Sequence, residues 1–166
     1  MKNFFRKVAF GLKPEEKTPS DPLTWAQKQV ETVPELNWKG KYILSEKEMR
    51  KYWIKQRVEE NTTFRKKFKN DPKGLEVAEK QLEKDTGKFF WPSNEMCIRH
   101  AEGIRSKTPV LAKLWYFWTN HFTISDTQSL AGFSTGAYQR EFIRANMDKT
   151  FETMAIEGTI AWPMIM

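Results

Sequence analysis

Apolar residues recur along this chain at the three- and four-residue spacing of an α-helix. Nowhere do they alternate with polar residues over a strand-length stretch. The first pattern is typical of helices that bury one face, and the missing alternation gives no support to a sheet. The sequence therefore predicts an all-α protein, an irregular bundle of about six or seven helices in one domain over residues 1–166.

Capping residues mark the starts of the predicted helices. Asp21-Pro22, Asp71-Pro72 and Thr108-Pro109 each place a capping side chain before a proline at the first helical position. Ser45 and Glu48 have the spacing of a capping box. With Asp148 or Thr150 as a further cap, we expect helices at 21–32, 45–61 with a bent continuation to 69, 71–86, 93–105, 109–122, 137–147 and from 150 onwards.

Two segments are predicted to interrupt the helices. Residues 89–92, Phe-Phe-Trp-Pro, form a dense aromatic corner, and the residue before a proline favours extended backbone. Residues 125–136 are polar with two glycines and are predicted to be a loop, without the lysine of a phosphate-binding loop. In the predicted helix at 93–105, Cys97, Ala101 and Ile104 form the stripe that we expect to face inwards.

The most apolar segment is residues 109–122, which carries large apolar side chains on more than one helical face. Such a helix is expected in the centre of a bundle, with the basic helices of residues 45–85 outside it. Trp115 and Trp118 could stack on a sugar or a base. Their spacing beside Leu111 and Leu114 instead favours core packing.

Composition excludes several classes of protein. Hydrophobic residues make up 39% and aromatic residues 14% of the 166 residues, which is too much for a disordered chain. No run of apolar residues is long enough to cross a membrane. The single cysteine, Cys97, cannot form an internal disulfide and is expected to be a small buried apolar residue.

The net charge of +7 lies entirely in the first part of the chain, where residues 1–100 hold 22 Lys and Arg against 15 Asp and Glu. Its densest run, Arg65, Lys66, Lys67 and Lys69, is a candidate site for binding anions. Glutamates nearby dilute this charge, which favours a solvated helix face. No DNA- or RNA-binding motif accompanies the run, so nucleic acid is not the expected partner.

Both ends of the chain allow two interpretations. Residues 1–20 are expected to be flexible or to dock on the core. Arg6 and Lys7 break the apolar run that a secretory signal would need, which favours the cytoplasm; a short amphipathic membrane anchor is the alternative. Residues 160–166 are apolar and either dock in a groove or belong to a helix cut short, and we favour the second interpretation.

Few residues could carry chemistry. His121 follows Asn120 at the end of the aromatic helix and could be a general base, a metal ligand or a helix-terminal cation. Cys97 and His100 share a helix face, but no carboxylate joins them at a ligand spacing. No catalytic triad, carboxylate dyad or zinc signature is present, so we predict neither a metal nor a cofactor.

Several segments nevertheless resemble motifs of one bacterial family, domain of unknown function 1800 (DUF1800). Residues 113–125, KLWYFWTNHFTIS, resemble its pattern M-x-x-F-W-x-N-H-F-x-V-S. Residues 138–144, YQREFIR, resemble its Y-x-x-E-x-I-R stretch. Weaker similarities lie at residues 8–14, 151–154 and 163–165, so the resemblance touches most of the chain but is dense only from about residue 109.

The resemblance implies the N-terminal part of a large, mainly helical protein without an established reaction. The family pattern continues into segments that this chain lacks, so the rest of that domain, or another chain, is the implied partner. Family members often occur beside exported proteins, which implies a link to the envelope. If the family has an active site, the polar residues contributed here would be Asn120, His121, Glu141 and Arg144.

Three functional hypotheses follow. The first is a non-catalytic fragment or interaction module of a larger helical protein. The second is part of an enzyme whose site forms around Asn120 and His121. The third is binding of nucleic acid or another anionic surface by the basic run at residues 65–69.

Overall fold

The computed structural model describes residues 2–38, 40, 43–52, 54, 61–86, 90–124 and 132–165. These ranges contain helices and no β-strand, which confirms the all-α prediction. The α-helices are α1 (Lys2–Val8), α2 (Pro22–Lys28), α3 (Glu46–Tyr52), α4 (Asn61–Lys67), α5 (Pro72–Thr86), α6 (Phe90–Arg105), α7 (Pro109–His121), α8 (Thr135–Tyr138), α9 (Phe151–Ile160) and α10 (Trp162–Ile165). No helix in this part of the chain is both long and apolar enough to cross a bilayer.

The described ranges hold more helices than the six or seven expected, because short helices supplement the long ones. The predicted helix from 45 to 69 corresponds to α3 and α4, while residues 55–60 between them lie outside the described part. The N-terminal segment and the chain around residue 163 each contribute a further short helix. As predicted, α3 to α5 lie on the outside of the fold. Among their described side chains, only Met49 is fully buried.

The capping predictions are confirmed at Asp21, at Asp71 and at the Ser45–Glu48 box, but not at Thr108. Asp21 Oδ1 accepts hydrogen bonds from the N–H groups of Leu23 and Thr24 at 3.0 and 3.2 Å, at the start of α2. The backbone N–H of Ser45 donates to Glu48 Oε2 at 2.8 Å, and Ser45 Oγ accepts from the Glu48 N–H at 3.3 Å. These side chains satisfy backbone donors that have no partner within the first helical turn.

Other helix ends are capped by side chains distant in sequence. Thr108 makes no side-chain cap for α7, and Gln29 Oε1 instead accepts the N–H of Val110 at 3.1 Å. Lys113 Nζ donates to two carbonyls at the C-terminal end of α1, at 2.6 and 2.8 Å. Lys13 Nζ does the same at the end of α6, at 3.1 and 2.9 Å. These bonds tie the N-terminal segment to α6 and α7.

The start of α6 corrects one prediction. Residues 90–92 form the first turn of the helix rather than an extended corner. A proline is tolerated there because the amide groups of the first turn have no intrahelical acceptor. Trp91 is 3% exposed and its ring packs edge-on against Tyr52 and Phe133, at 4.6 and 5.7 Å between centroids. This packing overrides the local preference of a residue before proline.

The buried face of α6 also differs from the predicted one. Cys97 is exposed, and Ile104 is 75% exposed. The helix instead buries Trp91, Glu95 and Gly103. The reason is that α6 packs against α7 and α8 with an acidic side chain pointing inwards, which apolar periodicity alone could not indicate.

A single irregular helical segment, residues 132–146, lies at the centre of the fold. It runs through a 3₁₀ turn (Gly132–Ser134), α8, a π-helix (Gln139–Ile143) and a second 3₁₀ turn (Arg144–Asn146). Ala137 packs into one core cluster, with Met49 and Trp91. Tyr138 and Ile143 pack into the other, with Trp115 and Met154 among its members.

This segment changes two predictions about the centre. The loop expected at 125–136 is wrong from Gly132 onwards, while residues 125–131 lie outside the described part. Helix α7 is not fully enclosed by the described residues, because Leu114 and Phe117 are 37% and 54% exposed. The central position expected for α7 is thus shared with residues 132–146.

Candidate functional site

Opposite charges are buried where α6 meets the π-helix. Arg140 donates through Nε to both carboxylate oxygens of Glu95, at 3.1 and 3.0 Å, and through Nη2 to Oε1 at 2.7 Å. The same Nη2 donates to the carbonyl of Leu44 at 2.7 Å. The two side chains are 14% and 5% exposed. Because a buried charge is costly without a partner, this bidentate pair fixes α6 against the π-helix.

A glycine permits this approach. A Cβ at Gly136 would overlap the side chain of Glu95, so any other residue there would push α8 away from α6. Gly136 is therefore needed for the charge pair and not for backbone flexibility.

Glu141 extends the charged layer towards α3. Its two oxygens accept the N–H of Glu46, the first residue of α3, at 3.1 and 3.2 Å. Burial raises the pKa of Glu141, and the nearby carboxylates of Glu46 and Glu95 add to this effect. The Glu46 N–H and Arg140, whose Nη1 lies 3.6 Å from Oε1, act in the opposite direction. Glu141 thus serves as a tertiary cap for α3.

Arg144 lies deeper in the same region. It is 7% exposed, and its guanidinium lies 5.7 Å from the ring centroid of Trp115. Burial lowers its pKa, which the charge of Glu102 partly offsets. The indole N–H of Trp115 donates to the carbonyl of Gln139 at 2.9 Å, which anchors α7 to the π-helix. We call Glu95, Arg140, Glu141 and Arg144 the polar layer.

Asn120 and His121 lie elsewhere, on the exposed end of α7. The imidazole of His121 is stacked on Phe117, with centroids 5.8 Å apart and an interplanar angle of 19°. It also meets the edges of Trp118 and Phe122, at 5.8 and 5.9 Å. The exposed imidazole of His121 thus packs against three aromatic rings.

The four candidates from the family resemblance therefore fall into two groups. Glu141 and Arg144 belong to the polar layer, whereas Asn120 and His121 lie at the surface end of α7. No hydrogen bond among the described residues joins the two groups. A catalytic role for all four together stays a prediction.

Cys97 and His100 do not form part of a described metal site. Cys97 is exposed, and His100 Nδ1 lies 2.7 Å from the carbonyl of Met96 in the same helix. The His100 ring packs edge-on against Tyr116, at 5.6 Å. Within the described ranges, no three His, Cys, Asp or Glu side chains are placed so that they could hold a metal ion.

The basic run lies on the outside, in α4 and just after it. Arg65, Lys66, Lys67 and Lys69 are all exposed. Lys67 Nζ lies 5.4 Å from the ring centroid of Phe68, and the described carboxylates form no ion pair with these four side chains. These positions are accessible to an anionic surface.

Three members of the polar layer, Glu95, Arg140 and Glu141, hold their charged atoms in contacts between different segments of the fold. Glu95 is bound by Arg140, and Glu141 by the start of α3. Such an arrangement positions helices relative to one another. Sequence reasoning missed Glu95 and Arg140. The one available signal was that Glu95 lies one turn after Trp91, on what proves to be the buried face.

The fold and the polar layer define an all-α protein whose helices are fixed by buried opposite charges and whose aromatic helix is open on one side. A family model described as "Protein of unknown function (DUF1800)" matches residues 3–166. The chain therefore belongs to the DUF1800 family, as its motifs predicted. No curated protein and no solved structure matches it significantly.

Proposed function

We propose that this chain is a non-catalytic helical interaction module that packs against a further amphipathic helix of its family domain, in the same polypeptide or another. The observation that carries the proposal is the outer face of α9. Ile156 and Ile160, one turn apart, are 51% and 61% exposed, while Met154 and Gly158 bury the opposite face. A helix that is apolar on both sides is typical of a protein interior.

Helix α10, which packs against α9, carries further exposed apolar side chains. Met164 and Ile165 are 37% and 70% exposed, directly after α9. Contiguous exposed apolar side chains mark sites of protein interaction more often than isolated ones do. We call Ile156, Ile160, Met164 and Ile165 the α9–α10 face. The absence of basic residues from both helices makes it less suited to an anionic partner.

The test compares the wild type with the double variant Ile156→Ser/Ile160→Ser. We expect the wild type to bind a hydrophobic dye and to self-associate at high concentration in sedimentation velocity, and the variant to lose most of both signals. Ile104→Ser is the matched control, because Ile104 is 75% exposed on α6. A wild type that is monomeric, melts cooperatively and binds no dye would refute the proposal.

The exposure of the basic run supports binding to anionic surfaces as a second candidate function. It predicts that the affinity for a labelled oligonucleotide falls steeply with salt. The double variant Lys66→Glu/Lys67→Glu should remove binding, whereas Lys107→Glu, another exposed lysine, should not. A flat salt response would exclude this function.

The cytoplasm is the proposed location, with the envelope as the alternative that the family context implies. Fractionation of cells expressing the tagged chain at native level would separate the two. Recovery with membranes after a high-salt wash would contradict a cytoplasmic location.

A further inference from the structure

A second apolar surface lies between α1, α2 and α7, away from the α9–α10 face. It is an open groove of about 480 Å³. Its lining includes Phe4 and Val8 from α1, Leu23 and Ala26 from α2, and Leu114 and Phe117 from α7. Leu23 and Phe117 are 61% and 54% exposed, so large apolar side chains stand at the edges of the groove.

The walls of the groove are held by the contacts that dock the N-terminal segment. Lys113 binds the end of α1, and Gln29, just after α2, binds the start of α7. Phe5 of α1 packs edge-on against Trp25 of α2, at 5.2 Å. A groove whose walls are already in place loses little conformational entropy when a ligand enters it.

The charged residues that line the groove, Lys7 and Lys113, are both basic. The sequences of α1, α2 and α7 contain no Asp or Glu, whereas they supply Arg6, Lys7, Lys28 and Lys113. Of the acidic residues that flank α2 in sequence, Asp21 caps that helix and Glu31 follows the lining residue Val30. Acidic residues of a partner would therefore be attracted to Lys7 and Lys113, and α1, α2 and α7 contain no Asp or Glu that would repel them.

We propose that this groove binds an amphipathic α-helix with an apolar stripe and acidic flanks, supplied by another polypeptide segment. An apolar groove between helices takes the anchor residues of such a helix at i, i+3 or i+4, and i+7. The basic residues beside the groove would pair with the flanking carboxylates. A flat anionic membrane is the poorer fit, because the apolar surface is concave. The inference rests on the proposed function, since it names the partner of a second surface of the same module.

The probe is a synthetic, fluorescently labelled peptide with leucines at helical spacing and glutamates on both flanks, measured by fluorescence anisotropy. We expect it to bind, and Leu23→Ser and Phe117→Ser each to weaken binding about tenfold or more. Both side chains are more than half exposed, so the variants are expected to keep their fold, which circular dichroism checks. Ile104→Ser is the matched control and should change the affinity by less than about twofold.

Charge is tested separately. Lys7→Glu should weaken binding and reduce its salt dependence, whereas Lys107→Glu, also exposed but outside the groove, should not. A peptide with the same leucines but lysines in place of glutamates should bind at least about tenfold more weakly.

Several outcomes would overturn the inference. One is equal binding of the acidic and basic peptides, and another is unchanged peptide binding by Leu23→Ser and Phe117→Ser. A third is that the peptide fails to bind while phosphatidylglycerol vesicles bind in a way that depends on Leu23 and Phe117. If the peptide fails but Ile156→Ser/Ile160→Ser still abolishes self-association, the groove inference falls and the proposed function stands. If the peptide binds but Ile156→Ser/Ile160→Ser changes neither dye binding nor self-association, the groove inference stands and the proposed role of the α9–α10 face is refuted.

Discussion

Helix α7 has two apolar faces with opposite environments. Leu111, Trp115 and Thr119 are each at most 2% exposed, whereas Leu114 and Phe117 are 37% and 54% exposed. Both faces are apolar in the sequence, so apolarity does not distinguish them. The inner face meets the π-helix, which supplies a carbonyl for the Trp115 indole, and the outer face meets a groove. An apolar helix face is therefore suited to burial, but the segments that pack against it determine whether it is buried within this chain.

The environment of charged residues also differs between the buried interior and the surface beside the groove. On the inner side, Glu95 and Arg140 are buried and bound to each other. On the outer side, Lys7 is exposed beside the apolar groove. Glu95 and Arg140 hold helices together, whereas of the two lysines that line the groove Lys113 binds the end of α1 and Lys7 is exposed to solvent.

The largest expected effect comes from removing the centre of the inner face. Trp115→Ala should destabilise the protein by about 3–5 kcal/mol, because it leaves a cavity and frees the carbonyl of Gln139. Phe117→Ala on the outer face should change the free energy of unfolding by less than about 0.5 kcal/mol. Urea unfolding of both variants checks this. Equal losses would mean that the two faces are not different.

Breaking the buried charge pair should have the next largest effect. Arg140→Met leaves the carboxylate of Glu95 buried without its partner, at an expected cost of about 3 kcal/mol in urea unfolding. The double variant Glu95→Met/Arg140→Met should recover part of this loss, because it removes both charges. Arg105→Met, whose side chain is exposed, is the control and should be nearly neutral. A near-neutral Arg140→Met would show that the pair does not fix α6.

A smaller effect is expected from the protonation of Glu141. Its pKa in the folded protein is raised above the ordinary value of 4.5, so the folded state binds this proton more tightly than the unfolded state does. The resulting stability is present below pH 4.5 and is lost as the pH rises through the folded pKa. Relative to Glu141→Gln, the wild type should therefore lose stability as the pH rises above 4.5.

Urea unfolding of the wild type and Glu141→Gln over a pH series measures this difference. Glutamine retains an oxygen that can accept the Glu46 N–H, so the variant changes charge more than contacts. A difference that is constant, or that grows in favour of the wild type with rising pH, would contradict the prediction.

The smallest effect concerns the hydroxyl of Tyr138. It is buried without a hydrogen-bond partner among the described residues, and burial raises its pKa to about 12. Removing an unpaired buried hydroxyl removes a desolvation cost, so Tyr138→Phe should be neutral or stabilising by up to about 1 kcal/mol. Thermal unfolding checks the sign. A clear loss of stability would indicate that the hydroxyl has a partner.

Local features were predictable from the sequence because they depend on neighbours along the chain. Asp21 and the Ser45–Glu48 box cap the helices that they were expected to begin. Features set by distant residues were not predictable. Trp91 is helical despite Pro92, and Cys97 is exposed although its spacing indicated a buried stripe.

The candidate site was likewise predictable only in part from the sequence. The family motif drew attention to Glu141 and Arg144, which are indeed partly or fully buried. It did not indicate that Glu141 would cap α3, across 95 positions of sequence, or that Arg140 would pair with Glu95. A charged residue looks the same in sequence whether its partner is solvent or a buried carboxylate.

The sequence by itself determined the all-α class, several helix starts and the family, since periodicity, capping and motifs are read from residues a few positions apart. Only the tertiary structure decided which face of each helix is buried, which charges pair, and that α7 leaves one apolar side open. Those outcomes depend on contacts between segments far apart in the chain. Their free energy comes from shared burial, which no segment possesses alone.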